Sequence, residues 1–78
     1  MSTAVLMTQT DAELARRVRD AFHDRKLLAG YDLSITAVQG RVTLRGKVRS
    51  YYSRQVLVHS CLRVPGVRGV VDEIRVEA

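Results

Sequence analysis

Residues 41–48, Arg41-Val42-Thr43-Leu44-Arg45-Gly46-Lys47-Val48, decide the fold. Val42, Leu44, Gly46 and Val48 alternate with Arg41, Thr43, Arg45 and Lys47, the period of a strand with one dry and one wet face. Arg49 is next on the wet side, so a single strand presents four cations. Asp32-Leu33-Ser34-Ile35-Thr36-Ala37-Val38 alternates in the same way, and Gln39-Gly40 lies between the two runs. With those two residues as the turn, Val38 faces Arg41, Thr36 faces Thr43, Ser34 faces Arg45 and Asp32 faces Lys47. Ala37–Val42, Ile35–Leu44 and Leu33–Gly46 then make up the opposite face. A slip of one residue would scramble both faces. The pattern predicts a β-hairpin.

Working outward, Thr10-Asp11-Ala12-Glu13 has the form of a capping box that opens a helix. Leu14, Val18, Ala21 and Phe22 follow at helical spacing as an inward stripe, with Arg16, Arg19, Asp20 and His23 outside it. Gly30 after Ala29 is a natural stop, which predicts a first helix over 11–29, its Leu27 and Leu28 closing the core over Tyr31. After the hairpin, Ser50 caps a second helix that runs to Val64. Its inward line is Leu57, Cys61 and Val64, extended back through Ser53 and Arg54. Val56, Val58 and Leu62 put apolar groups on other sides of this helix, so either it packs on more than one face or it keeps a strip for a partner. Pro65-Gly66 ends it. Val70-Val71-Asp72-Glu73-Ile74-Arg75-Val76 is a third strand, with Val70, Ile74 and Val76 facing the helices. A strand–helix–strand link of this length makes a crossover to a parallel neighbour.

The predicted fold class is therefore α+β: an αββαβ chain with a three-stranded mixed sheet in order 1-2-3. Strand 41–49 is central and both helices pack on one face. Residues 1–9 read as a loose tail and 10–78 as one small domain.

Net charge is +5, from 13 basic and 8 acidic residues. That balance favours anionic partners, namely nucleic acid, acidic lipid headgroups or an acidic protein. One cysteine excludes an internal disulfide, and Cys61 reads as a small buried side chain. No signal-peptide core or membrane-spanning run is legible, so the expectation is a cytoplasmic protein. His23 and His59 lie on different helices as solvated residues, and no Cys pair, H-E-x-x-H or phosphate loop occurs. Asp72 and Glu73 are adjacent in a strand and point to opposite faces, which rules out a carboxylate dyad. The expectation is a protein without catalysis, metal or cofactor.

Three stretches are candidates for binding. The open sheet face carries Arg41, Arg45, Lys47 and Arg49, with successive cations ~7 Å apart along the strand. The competing reading of that face is a solvated surface balanced by Glu73 and Glu77. The second stretch, Arg49-Ser50-Tyr51-Tyr52-Ser53-Arg54, joins arginines and tyrosines to a helix N-terminus, the composition of an interfacial membrane anchor. One of its tyrosines is expected to enter the core. The third, Gly66-Val67-Arg68-Gly69, has the GxxG form that clamps nucleic-acid backbones, although here it joins a helix to a strand.

Taken in order, Asp11-Ala12-Glu13-Leu14, then Gly40-Arg41-Val42-Thr43-Leu44-Arg45-Gly46-Lys47-Val48, then Val64-Pro65-Gly66-Val67 and Val70 to Val76 resemble the BON domain. The likeness covers about residues 10 to 77. It implies a bacterial αββαβ module, usually non-enzymatic, found in envelope and osmotic-stress proteins and thought to bind phospholipid or attach peripherally to membranes. Family members often carry an export segment and two copies of the domain, whereas this chain shows one copy and no such segment. Gly40 and Gly46 match family glycines. Gly40 supplies a positive-φ turn position, and Gly46 leaves space opposite Leu33 for a helix to approach.

The functional expectation is attachment to anionic phospholipid headgroups. Arg49, Tyr51, Tyr52 and Arg54 make first contact, and Arg41, Arg45 and Lys47 add attraction. The alternatives are a protein partner, including self-association through the second helix or a strand edge, and nucleic acid on the basic sheet. The sheet lacks the aromatic residues on which single strands stack.

Overall fold

The structure is a computed structural model of the chain and describes residues 8–27 and 32–77. The element order is α1 (Gln9–Asp24), β1 (Ser34–Val38), β2 (Arg41–Val48), α2 (Tyr51–Leu62) and β3 (Gly69–Val76). β2 is central, antiparallel to β1 and parallel to β3. This is the α+β, αββαβ arrangement expected.

The hairpin register is the one the alternation demands: Ser34 opposite Arg45, Ile35 opposite Leu44, Thr36 opposite Thr43, Ala37 opposite Val42 and Val38 opposite Arg41. Gln39 and Gly40 both have positive φ, 51° and 85°. A two-residue turn of that hand matches the twist of the flanking strands. The dry parity of all three strands faces one core, in which Leu14, Val18 and Phe22 of α1 meet Leu57 and Cys61 of α2. α1 lies over β1 and α2 over β3, the two helices touching above β2. Phe22, Leu44 and Leu57 are almost fully buried, and each contributes about 1.5–3 kcal/mol by leaving water.

Both ends of α1 differ from the sequence expectation. Its cap is Thr8 rather than Thr10. The Thr8 hydroxyl accepts from the Asp11 amide at 3.1 Å, and Asp11 Oδ2 accepts from the Thr8 amide at 3.2 Å. Asp11, rather than Glu13, closes the box because its other oxygen takes the Gln39 amide of the hairpin turn at 2.9 Å. One carboxylate thus ties the helix start to a turn 28 residues away, and the helix includes Gln9, which the sequence reading left in the tail.

At the other end, Lys26 adopts φ 59° and the chain turns back. Its amide donates to His23 O at 2.9 Å, and the Leu27 amide donates to Phe22 O at 2.8 Å. This is a Schellman ending with lysine where glycine is usual, and it lets Leu27 pack against the core. The helix therefore stops before Ala29 and Gly30. Leu28, Ala29, Gly30 and Tyr31 lie outside the described residues.

α2 is capped by Ser50, whose hydroxyl accepts from the Ser53 amide at 3.1 Å, and it ends at Leu62 instead of Val64. Gly46 also has a different neighbour from the one expected. At φ 151°, a Cβ there would meet Asp32 O and Leu33 Cδ2 at 2.7 Å each, so the hairpin partner, and no helix, occupies the space.

Candidate functional site

Strand parity sorts the sequence's candidate residues onto two surfaces. Arg41, Arg45 and Lys47 stand exposed on the open face of β2, on the opposite side of the sheet from the helices. Parallel pairing sets Arg45 beside Glu73 and Lys47 beside Arg75. Arg45 Nε lies 2.9 Å from Glu73 Oε1, and Lys47 Nζ lies 3.7 Å from Glu77 Oε1. Both pairs are well exposed, so each contributes only about 0–1 kcal/mol, but each places a carboxylate beside a cation. Glu73 and Glu77 thus balance this face in part. Arg75 is a fourth exposed cation on this face, one that sequence reading missed, and its parity on β3 was the available signal. This face carries none of the described aromatic rings, since Phe22 is in the core and Tyr51 and Tyr52 are on α2.

The start of α2 is different. Arg49, Tyr51 and Tyr52 are sequence neighbours there and all three are exposed, Tyr51 at 72% and Tyr52 at 77%. The expectation that one tyrosine enters the core is overturned. Ser53 and Arg54 hold the inward side of the first turn, so both rings are left to solvent. The first turn carries no acidic residue, and in the sequence no Asp or Glu occurs from Leu33 to Val71. The positive end of the helix dipole is therefore reinforced by Arg49 rather than offset.

Arg54 does not point with that group. It is half-buried, and its Nε donates to Asp72 Oδ2 at 2.7 Å, while Asp72 Oδ1 accepts from the Ile74 amide at 3.1 Å. Asp72 lies on the helix-facing parity of β3, opposite Leu44, where a carboxylate needs a partner. Its place between Val70 and Ile74 was the sequence signal for that need. Arg54 accordingly anchors α2 to β3 and holds the first turn, with its tyrosines, in position.

The Gly66–Gly69 loop is engaged within the fold. The Arg68 amide donates to Gly40 O at 2.7 Å, and the Arg68 side chain lies across Gly40, where a Cβ would meet its Cγ at 2.8 Å. A groove of about 460 Å³ separates this loop from the start of α1, and Glu13, Arg17 and Arg68 give its walls both signs of charge. Among the described residues, two groups are shifted from their ordinary pKa. The amides of Gln39 and Thr8 hold the Asp11 carboxyl below its usual value. Burial pushes the Cys61 thiol up to about 11, which keeps it protonated and unreactive. His23 and His59 are exposed on separate helices, and no cluster of three or more metal-ligating side chains occurs among the described residues. No described helix is long and apolar enough to cross a membrane.

A family model described as the BON domain matches residues 10–78. No curated protein matches the chain.

Proposed function

The chain belongs to the BON domain family, a family of binding modules, and from that premise we propose that it is a non-catalytic module that attaches peripherally to anionic phospholipid surfaces. The carrying observation is the pair of exposed tyrosines beside Arg49 at an acid-free helix start. Aromatic rings settle at the headgroup level, where one end of the ring is apolar and the other wet, while guanidinium groups hold phosphates in a bidentate fork. Arg49, Tyr51 and Tyr52 make the contact, and Arg54 positions it from behind through Asp72. Arg41, Arg45 and Lys47 face away from the helix layer, in a molecule 19 Å across its thinnest dimension. At physiological salt the Debye length is ~8 Å, so these three add long-range attraction only at low ionic strength.

Each cation close to an acidic bilayer contributes ~1 kcal/mol, so the attachment is weak, salt-sensitive and reversible. Co-sedimentation with phosphatidylglycerol vesicles tests it. Binding at low salt is expected to disappear at high salt, on phosphatidylcholine, and in the Tyr51→Ala/Tyr52→Ala double variant. No binding of the parent chain at low salt would remove the proposal.

A further inference from the structure

Among the described residues, two features lack partners, and they border the same flank. β3 is an edge strand whose outer side pairs with no other strand among the described residues. The second feature is a stripe on α2. Tyr51, Gln55, Val58 and Leu62 recur at spacings of four, three and four, which stacks them along one side of the helix. Tyr51 and Gln55 are exposed, Leu62 is 50% exposed and Val58 is half-buried. Because α2 lies over β3 with α1 on its other side, this stripe looks out past the sheet edge. A groove of about 260 Å³ marks the junction, walled by Tyr51, Arg54, Gln55 and Val58 from the helix and Asp72 from the strand.

Val58 and Leu62, the apolar end of this stripe, fit another helix, and an open strand edge fits another strand. A second copy of this chain offers both in the same arrangement. The geometry points to a two-fold dimer in which β3 pairs antiparallel with β3 of a second copy, while the two α2 helices pack side by side above the joined edges. The register follows from charge. With Ile74 opposite Ile74 on the two-fold axis, Glu73 of each copy faces Arg75 of the other on the open face. Sliding the strands by two residues sets Glu73 against Glu73 or Arg75 against Arg75, both destabilising. Slipping by one turns one copy over and separates the two stripes. Arg75 is exposed and has no ion pair among the described residues, and Glu73, already beside Arg45, bridges two guanidinium groups in the pair.

Hydrogen bonding agrees with that register. The Ile74 amide donates to Asp72 Oδ1 at 3.1 Å rather than to β2, so it points to the open edge. By alternation, so do the amides of Asp72 and Val76. Those are the positions that an Ile74-centred pairing joins. Asp72 releases the Ile74 amide to the second strand and keeps Arg54 at 2.7 Å. In the monomer that same side-chain cap blunts the edge against indiscriminate strand addition. A stable dimer buries ~800 Å² on each side. A short ladder falls below that, and the helix stripe supplies the apolar remainder.

Sedimentation equilibrium of the full chain from micromolar to millimolar concentration, with hydrogen exchange at both ends of that range, tests the dimer without lipid and so independently of the membrane reading. The expected result is a concentration-dependent dimer in which the amides of Asp72, Ile74 and Val76 gain protection. Leu62→Glu and Arg75→Glu each alter an exposed side chain, and each is expected to weaken the dimer about ten-fold or more. A monomer at millimolar concentration overturns the inference. So does a dimer that survives both substitutions with no change at the Ile74 amide.

Discussion

α1 and α2 lie on the same sheet and share one core, yet they use their surfaces differently. α1 buries Leu14, Ala15, Val18 and Phe22 in one stripe, and its start is tied to the hairpin turn through Asp11. α2 gives Leu57, Ser60 and Cys61 to the core and leaves Tyr51, Tyr52 and Leu62 largely in water. The buried and capping residues of α1 are accounted for by the fold. Several on α2 are not, and large apolar groups that packing does not require are the ones to suspect of meeting something else.

Substitutions can break this contrast. Phe22→Ala, on α1, should cost about 3–5 kcal/mol, whereas Tyr52→Ala, on α2, should stay within about 0.5 kcal/mol. Urea titrations of the two variants check it, and a large loss for Tyr52→Ala would mean that its ring has a structural role. Gly46→Ala should cost about 1–3 kcal/mol, because the Cβ meets Asp32 O and Leu33 Cδ2 and φ is 151°. Gly69→Ala meets nothing within 4 Å and serves as the control in the same titration.

Acid sharpens the α1 side of the comparison. Asp11 has its folded pKa below its unfolded value, so it contributes stability above the unfolded pKa of ~3.9 and loses it as pH falls through the folded value. Asp11→Ala should lower Tm by several degrees at neutral pH and make the curve flatter between pH 4 and pH 2 (approximately), as thermal melts across pH would show. A smaller loss is expected from the ion pair on the α2 side. A double-mutant cycle of Arg54→Ala and Asp72→Ala should give a coupling of about 0.5–1 kcal/mol, since both side chains are partly exposed. The same Arg54→Ala variant should loosen the first turn of α2 and reduce vesicle binding.

Much of the fold was legible because its decisive stretch has one solution. Strict alternation on both sides of Gln39-Gly40 admits a single register that separates polar from apolar, and β1 and β2 adopt it. The ends of α1 were not legible. Thr8 and Thr10 both suit a cap locally, and the choice falls to Asp11 because the hairpin turn presents an amide to it across 28 residues. Lys26 was no clearer, since the sequence stop at Gly30 gave way to the gain from folding Leu27 onto the core.

The candidate site was legible in composition and not in geometry. Arg49, Tyr51, Tyr52 and Arg54 are neighbours in sequence, but Arg54 turns inward to Asp72 while both tyrosines turn out. Arg41, Arg45 and Lys47 share the chain's charge with Arg49, yet the sheet sets them on the side away from the helix layer.

Local pattern by itself determined the elements, their order, the hairpin register and which parity of each strand is dry, because these depend on side chains two to four residues apart. Only the tertiary structure decided where α1 begins and stops, which cation finds which carboxylate, and that the stripe on α2 and the free edge of β3 share one flank. Those outcomes depend on groups far apart in sequence competing for the same hydrogen bonds and the same buried space, and a linear pattern carries no record of that competition.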